Sequence, residues 1–95
     1  MYTIVFSRRF ARALEKLKRS GKFSVAVADD YKRVTELLKT GQRLPSIFRD
    51  HALIGDYLGY RECHIKGDLL LVYEYREDIV VILLIDIGSH SQIFG

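Results

Sequence analysis

The sequence predicts a single α+β domain in which two helices pack on one face of an antiparallel sheet. Three observations predict this class: apolar residues recur at helical spacing between Phe10 and Leu38, short β-branched and aromatic runs follow later, and only three-residue turns separate those runs. Ninety-five residues, 48% of them apolar, are enough for one hydrophobic core but too few for two. We therefore expect residues 1–95 to form one domain.

The N-terminal part is expected to contain a strand and a helix. Tyr2–Phe6 is short, β-branched and aromatic, which is typical of a strand, and Ser7 is suited to cap a following helix. Phe10, Leu14 and Leu17 recur at i, i+4 and i+7, which is the spacing of one face of an amphipathic helix.

A second helix is expected after Ser20-Gly21, where the first one ends. It begins around Phe23 and stops near Gly41. Its apolar side is formed by Val27, Tyr31, Val34 and Leu38.

The second half is expected to be a loop followed by a three-stranded meander. Between Gly41 and Tyr57 the periodicity fails, and we interpret this segment as a long ordered loop, a type that is often functional. Turns at residues 66–68 and 76–78 are short enough for antiparallel hairpins. The strand candidates are Tyr57–Ile65, Leu69–Tyr75 and Ile79–Ile85. The last is apolar at every position, as in an internal strand covered on both faces.

Charge and composition limit the function classes. Residues 1–49 carry 12 Lys and Arg against four Asp and Glu, whereas residues 50–95 carry three against eight. A basic patch of this kind attracts nucleic acid or an acidic protein, although a solvated helix face explains it equally well. The longest apolar run is far below the roughly 18 residues that span a bilayer, and the N-terminus lacks an apolar signal core. One cysteine, Cys63, forms no internal disulfide, so we expect a soluble cytoplasmic protein without membrane association.

The three histidines suggest a reactive site. Histidine has an unperturbed pKa of about 6.5, which suits proton transfer and metal binding. Strand alternation places His64 on one face with Tyr60 and Glu62, and the following turn brings Asp68 near the end of that strand. If His51, His64, Asp68 and His90 converge, they can supply the base and acid of a metal-independent ribonuclease. Zinc is the competing chemistry, although histidine spacings of 13 and 26 residues match no local metal motif.

Several segments taken together resemble a known family. They are Asp50-His51-Ala52-Leu53, Gly55, Gly59-Tyr60-Arg61-Glu62-Cys63-His64, Asp68-Leu69-Leu70-Leu71-Val72-Tyr73, Ile87-Gly88-Ser89-His90-Ser91 and Phe94-Gly95. In this order they closely resemble the YafQ branch of the RelE-type bacterial toxins. The resemblance covers nearly the whole chain, and its specific motifs lie in residues 50–95.

The resemblance implies a RelE-like fold and the toxin of a type II toxin–antitoxin system. Such a toxin is an endoribonuclease that cuts messenger RNA on the ribosome and needs no cofactor. Its partners are mRNA, the ribosome and a cognate antitoxin, and it reaches operator DNA only within the antitoxin complex. Carried over by motif, the functional residues are His51, His64, Asp68 and His90 for catalysis and Phe94 for positioning a base.

One position departs from the family pattern. Relatives commonly carry an arginine two residues before the Gly-Ser/Thr-His motif, where this chain has Asp86. A carboxylate there would repel the phosphate, so another cation is expected to replace the arginine. The candidates are Arg61, Lys66, Arg43 and Arg49. Two alternatives stay open: a catalytically weakened relative that acts through antitoxin and operator binding, and a ParE-like gyrase inhibitor.

Overall fold

The computed structural model describes all 95 residues as a five-stranded sheet with helices on both faces. The strands follow the order β1-β5-β4-β3-β2, in which β1 is parallel to β5 and the other neighbours are antiparallel. This arrangement confirms the predicted α+β class. The elements are β1 (Thr3–Phe6), α1 (Arg8–Arg19), α2 (Val25–Lys39), β2 (His51–Ala52), β3 (Arg61–Lys66), β4 (Leu69–Arg76), β5 (Val81–Gly88) and α3 (His90–Phe94).

The main core lies between the sheet and the first two helices. Ser7 and Ser24 cap α1 and α2, because each side chain accepts a hydrogen bond from the backbone N–H three residues later. The predicted apolar faces are confirmed, since Phe10 and Val34 are fully buried against the sheet. None of the helices combines the length and apolar character that crossing a membrane requires.

The short helix α3 covers the opposite face of the sheet and was not predicted. We call the side of the sheet under this helix the α3 face. Its apolar cluster is small and consists of Leu70, Val72 and Ile93, with Leu53, Tyr60, Ile85 and Phe94 partly buried around them. Ser89 and Gln92 form a capping box that starts α3. A Cβ at Gly88 would lie 2.9 Å from Gln92 Oε1, so this tight start requires glycine.

Two predicted strand boundaries were wrong for local steric reasons. The strand expected at Tyr57–Ile65 begins only at Arg61, because Tyr57 ends a 3₁₀ turn and Gly59 has φ of +98°. The strand expected at Ile79–Ile85 instead runs from Val81 to Gly88. Ile79 is 61% exposed and lies with Val80 in the hairpin turn, where Val80 adopts φ of +54°. The apolar run therefore continues into the turn, which apolar character alone does not reveal.

The segment between Gly41 and Tyr57 is ordered and adds an edge strand. It contains a 3₁₀ turn at Ser46–Phe48 that buries Phe48 in the main core. The two residues of β2 then pair with β3, with His51 opposite Glu62. The predicted ordered loop thus supplies a fifth strand.

A register shift between β4 and β5 turns one acidic side chain to the α3 face. Val72 pairs with Asp86 and Tyr73 pairs with Leu84, so Ile85 is an extra residue in β5. Paired residues share a face, and Val72 belongs to the α3 cluster. Asp86 therefore faces α3, whereas strict alternation from Leu84 would place its carboxylate in the main core.

A buried polar network ties the loop before β2 to the sheet. Asp50 accepts hydrogen bonds from Arg61, with Nη2 at 2.8 Å, and from the hydroxyl of Tyr73. Burial, followed by the hydrogen bond to Asp50, raises the pKa of Tyr73 above its ordinary value, so this hydroxyl stays protonated as a donor. The network fixes the chain immediately before His51.

We predict that Tyr73→Phe lowers the free energy of unfolding by about 2 kcal/mol. The substitution removes one hydrogen bond to a charged carboxylate and leaves the ring packing unchanged. Urea denaturation measures this loss. Tyr31→Phe is the matched control, because Tyr31 packs on the same core without a hydrogen bond through its hydroxyl. Equal losses in both variants would show that the Tyr73–Asp50 contact contributes nothing specific.

Candidate functional site

Strand pairing brings the distant histidine segments onto the α3 face. In one row across the sheet, His51 pairs with Glu62, Glu62 with Val72, and Val72 with Asp86. In the next row, His64 pairs with Leu70 and Leu70 with Gly88, two residues before His90. Neighbouring strands lie about 4.8 Å apart, so the backbone at His64 lies about 10 Å from that at Gly88. The prediction that one face of the sheet carries Tyr60, Glu62 and His64 is confirmed.

His51 is held by a buried carboxylate. Its Nε2 lies 3.0 Å from Oε2 of Glu62, and its Nδ1 lies 2.8 Å from the carbonyl oxygen of Arg49. Glu62 is only 6% exposed, and its Oε1 is buried without a hydrogen-bond partner. A carboxylate in this position is costly unless it is paired, so the imidazole is its necessary partner.

The geometry of this pair fixes where its protons lie. A carbonyl oxygen only accepts, so Nδ1 of His51 carries a hydrogen that it donates to Arg49. Nε2 and the Glu62 carboxyl then share one further proton across 3.0 Å. Both ring nitrogens of His51 are therefore engaged, and the ring orientation is set by two contacts.

His64 has a free ring beside a basic cavity. It is half-buried and makes no side-chain hydrogen bond. A cavity of about 300 Å³ beside it is lined by Arg33, Arg49 and Lys66, which adds three cations to this end of β3. Lys66 forms an ion pair with Asp30 at 3.5 Å, whereas Arg33 lies over the ring of Phe48. Two of the expected RNA-binding residues, Arg49 and Lys66, thus accompany His64.

His90 and Phe94 form an aromatic strip with Tyr57. His90 is the first residue of α3, and its ring centroid lies 4.9 Å from that of Phe94, one turn later. Phe94 also packs edge-on against Tyr57 at 4.8 Å. The ring nitrogens of His90 make no hydrogen bond and the side chain is exposed, so this imidazole is open to a ligand.

Asp68 lies at the rim of the site and contacts no histidine. It is exposed in the β3–β4 turn and lines a cavity of about 250 Å³ together with Lys66, Ser89 and Gln92. This turn is next to the start of α3, but the carboxylate forms no hydrogen bond with a ring nitrogen. The structure therefore shows no contact through which Asp68 orients a histidine, and this role stays a prediction.

The cation beside Asp86 is Arg9, which the sequence reasoning missed. Oδ2 of Asp86 accepts a hydrogen bond from Nε of Arg9 at 2.8 Å and forms an ion pair with Nη2 at the same distance. The signal was available, because a carboxylate among the apolar residues of β5 requires a positive partner. The four expected substitutes, Arg61, Lys66, Arg43 and Arg49, do not fill this position.

Arg61 and Arg43 do not join the histidines. Arg61 pairs with Tyr73 across the strands and extends toward the main-core side, where Asp50 binds it at 2.8 Å. Arg43 lines a separate cavity with Arg61 and Asp50. Strand alternation and the Asp50 ion pair keep Arg61 away from His64, and RNA binding by these two residues stays a prediction.

The structure gives no geometric support to the zinc alternative. No three side chains of the types His, Cys, Asp and Glu lie close enough to hold one ion together. Cys63 is fully buried on the main-core side, and burial raises the pKa of its thiol, so it is neither nucleophile nor ligand.

Similar proteins carry the same fold. Residues 2–95 match the family described as the bacterial toxin of type II toxin–antitoxin systems, YafQ. The chain is 38% identical to a YafQ toxin of Haemophilus influenzae over 92 residues, which cover 94% of this chain and 88% of that protein. It is 31% identical over 62 residues, 65% of each chain, to the mRNA interferase toxin YafQ of Escherichia coli.

Two solved structures extend this similarity. The metal-bound toxin from Helicobacter pylori has a TM-score of 0.87 and 37% identity, with 99% of this chain and 100% of that chain covered. The toxin in the E. coli DinJ–YafQ complex has a TM-score of 0.83 at 24% identity, with 100% of both chains covered, and shares the fold. The family resemblance expected from the motifs in residues 50–95 is therefore confirmed. This chain belongs to the YafQ family of bacterial toxins of type II toxin–antitoxin systems.

Proposed function

We propose that the chain is a metal-independent endoribonuclease that cleaves messenger RNA on the α3 face. The observation that carries this proposal is the pair of cross-strand rows, which holds His51 and His64 on one side of the sheet and ends at Gly88, two residues before His90. The name of the E. coli relative, an mRNA interferase, supports the same reaction. Cleavage during translation on the ribosome is part of the proposal.

The reaction divides between a base and an acid. The base removes the proton from a ribose 2′-OH, and the 2′-oxygen then attacks the adjacent phosphorus. The bond from phosphorus to the 5′-oxygen breaks, and the acid protonates that leaving oxygen. The products are a 2′,3′-cyclic phosphate and a 5′-OH, and no metal or other reactant is needed.

His64 and His90 suit these two roles best, because their ring nitrogens are free in the structure. We assign His90 as the acid and His64 as the base. His51 has both nitrogens engaged by Arg49 and Glu62, so it acts beside them as a fixed hydrogen-bonding group. Asp68 is proposed to orient a histidine only once RNA is bound.

Cations and aromatic rings flank the histidines and suit single-stranded RNA. Lys66 and Arg49 offer positive charge in the cavity beside His64, at the end of β3. Phe94 and Tyr57 offer ring faces at the other end, next to His90. Stacking of bases on aromatic side chains together with phosphate contacts is the general mode by which proteins bind single strands.

The partners follow from the family. The E. coli relative is described in complex with the antitoxin DinJ, and we propose that a cognate antitoxin likewise binds and blocks this chain. Contact with operator DNA is proposed to occur only through that antitoxin. A place of action in the cytoplasm follows from the proposed mRNA and ribosome partners.

The structure removes much of the reason for the first alternative, in which the chain is a catalytically weakened relative. That alternative rested on the carboxylate of Asp86 facing the phosphate. The carboxylate is buried and paired with Arg9, so it does not present an unpaired negative charge to RNA. No feature of the structure favours the gyrase-inhibitor alternative.

We predict that alanine at His64 or His90 lowers mRNA cleavage by about 10²- to 10⁴-fold, the usual contribution of a general acid or base. His51→Ala lowers it as well, because Glu62 loses its partner on the same face. Cleavage is measured by primer extension on a translated message, alongside growth arrest after induction. Lys39→Ala, an exposed change at the far end of α2, is the matched control.

If all three histidine variants retain toxicity, the catalytic assignment of the histidines is wrong. Antitoxin binding and circular dichroism verify that each variant is folded. Cleavage is also expected to persist after EDTA removes bound transition metal, with free magnesium restored for the ribosome. Wild-type protein that binds antitoxin but cuts no message would favour the weakened relative.

We predict that His51→Ala lowers the free energy of unfolding by about 1–3 kcal/mol near neutral pH, because Glu62 loses its partner. An unpaired buried carboxylate takes up a proton more readily when folded than when unfolded. The loss of stability is therefore present at pH values above the pKa of glutamate in the unfolded chain, about 4.3. It disappears as the pH falls to that value.

Urea denaturation at neutral pH and near pH 4 checks this dependence. His51→Ala with Glu62→Gln is the matched control, since a neutral amide of the same shape removes the cost of the buried charge. A loss that is equal at both pH values, or unchanged by Glu62→Gln, would show that the pair is not electrostatically coupled.

A further inference from the structure

Asp86 is a buried carboxylate with both oxygens occupied. Its Oδ1 accepts a hydrogen bond from the backbone N–H of Ile87 at 2.8 Å, and its Oδ2 accepts one from Nε of Arg9 and forms an ion pair with Nη2. The residue is only 6% exposed, so RNA would meet little of its carboxylate directly. What it does is hold one guanidinium in a fixed place.

The position at which β1 ends explains why Arg9 lies beside Asp86. β1 ends at Phe6, opposite Leu84, so the edge of β5 is uncovered beyond that point. The Ser7 hydroxyl donates to the carbonyl of Ile85 at 3.0 Å and also caps α1. The first turn of α1 therefore starts at the open edge, which places Arg9 beside Asp86.

Arg9 keeps donors free for a ligand. A guanidinium has five N–H groups, and here Nε donates to Asp86, while Nη2 lies 2.8 Å from the same carboxylate oxygen and donates to the carbonyl of Ile93 at 3.4 Å. Nη1 makes no hydrogen bond, and the side chain is 52% exposed. The two N–H groups of Nη1 therefore remain without an acceptor on a half-exposed, oriented guanidinium.

These donors lie at the end of the aromatic strip. The Tyr57 hydroxyl donates to the same Ile93 carbonyl at 3.2 Å, its ring contacts Phe94, and Phe94 contacts His90. Ile93 follows His90 by three residues, about 5 Å along the helix. Arg9, Tyr57, Phe94 and His90 thus form one continuous strip of cation, aromatic rings and imidazole.

We propose that Arg9, positioned by Asp86, binds a backbone phosphate of RNA next to the phosphodiester that His90 serves. The inference rests on the proposed function and adds a phosphate-binding residue to it. A guanidinium forms charge-assisted hydrogen bonds with phosphate oxygens, and the unpaired Nη1 supplies such donors. Asp86 is a positioning residue, since it acts only through Arg9.

The experiment titrates a labelled single-stranded 2′-O-methyl RNA, which cannot be cleaved, with the full chain at several KCl concentrations. Arg9→Gln is expected to raise Kd about tenfold at low salt, as half exposure moderates a charge-assisted contact. The slope of log K against log salt should fall by about 0.7, the loss of one phosphate contact on a single strand. Arg9→Lys should restore the slope and part of the affinity.

Arg19→Gln is the matched control, because it removes the same charge from α1 about 15 Å away along the helix. Its Kd should stay within about twofold of wild type. An Arg9→Gln variant with wild-type slope and affinity, or one no different from Arg19→Gln, overturns the inference, whatever its thermal stability. If the wild type still cuts a translated message, only the Arg9 assignment fails; if it does not, the proposed function itself fails.

Discussion

The pairing of β3, β4 and β5 is the constraint on which the proposed site depends. Side chains reach the α3 face only where the register places them, and the single extra residue at Ile85 sets that register at the end of β5. Without this bulge, Asp86 would point under the helices and could not hold Arg9 beside α3. The same pairing places His64 in line with the residue that precedes the capping box of α3. Register, rather than any local motif, therefore assembles the site.

The two faces of the sheet have different roles, because one buries the main core and the other carries the proposed site. Thirteen buried side chains form the main core under α1 and α2, whereas only three form the cluster under α3. The α3 face instead buries two carboxylates in one row, Glu62 and Asp86, on either side of Val72. Each is paired with a half-exposed basic group, His51 or Arg9. Buried acids weaken a fold unless they serve a purpose, and here both orient groups that face solvent.

Much of the fold could be predicted from the sequence, because its signals are local. Helical spacing identified Phe10, Leu14, Val34 and Leu38 as core residues, and strand alternation placed His64 and Cys63 on opposite faces. The errors came where local signals conflict. Ile79 and Val80 continue an apolar run into a turn, and α3, at five residues, is too short to show periodicity.

The candidate site was only partly predictable for a related reason. The histidines were identified by residue type and family resemblance, but their partners are set by pairs far apart in the chain. His51 meets Glu62 across β2 and β3, and Arg9 meets Asp86 over 77 positions. The ion pair that holds Arg61 to Asp50 likewise depends on which face of β3 the arginine occupies. Alternation predicts that Arg61 turns away from His64, and the register confirms it.

The measurement that tests the central claim most directly is an NMR titration of the isotopically labelled chain with a non-cleavable single-stranded RNA. If the α3 face binds RNA, amide and imidazole shifts should change in β2, in β3, at the start of α1 and along α3, with His64 and His90 among the largest changes. The outer surfaces of α1 and α2 should change little. Shifts confined to those basic helix surfaces, with unchanged histidine rings, would contradict the account.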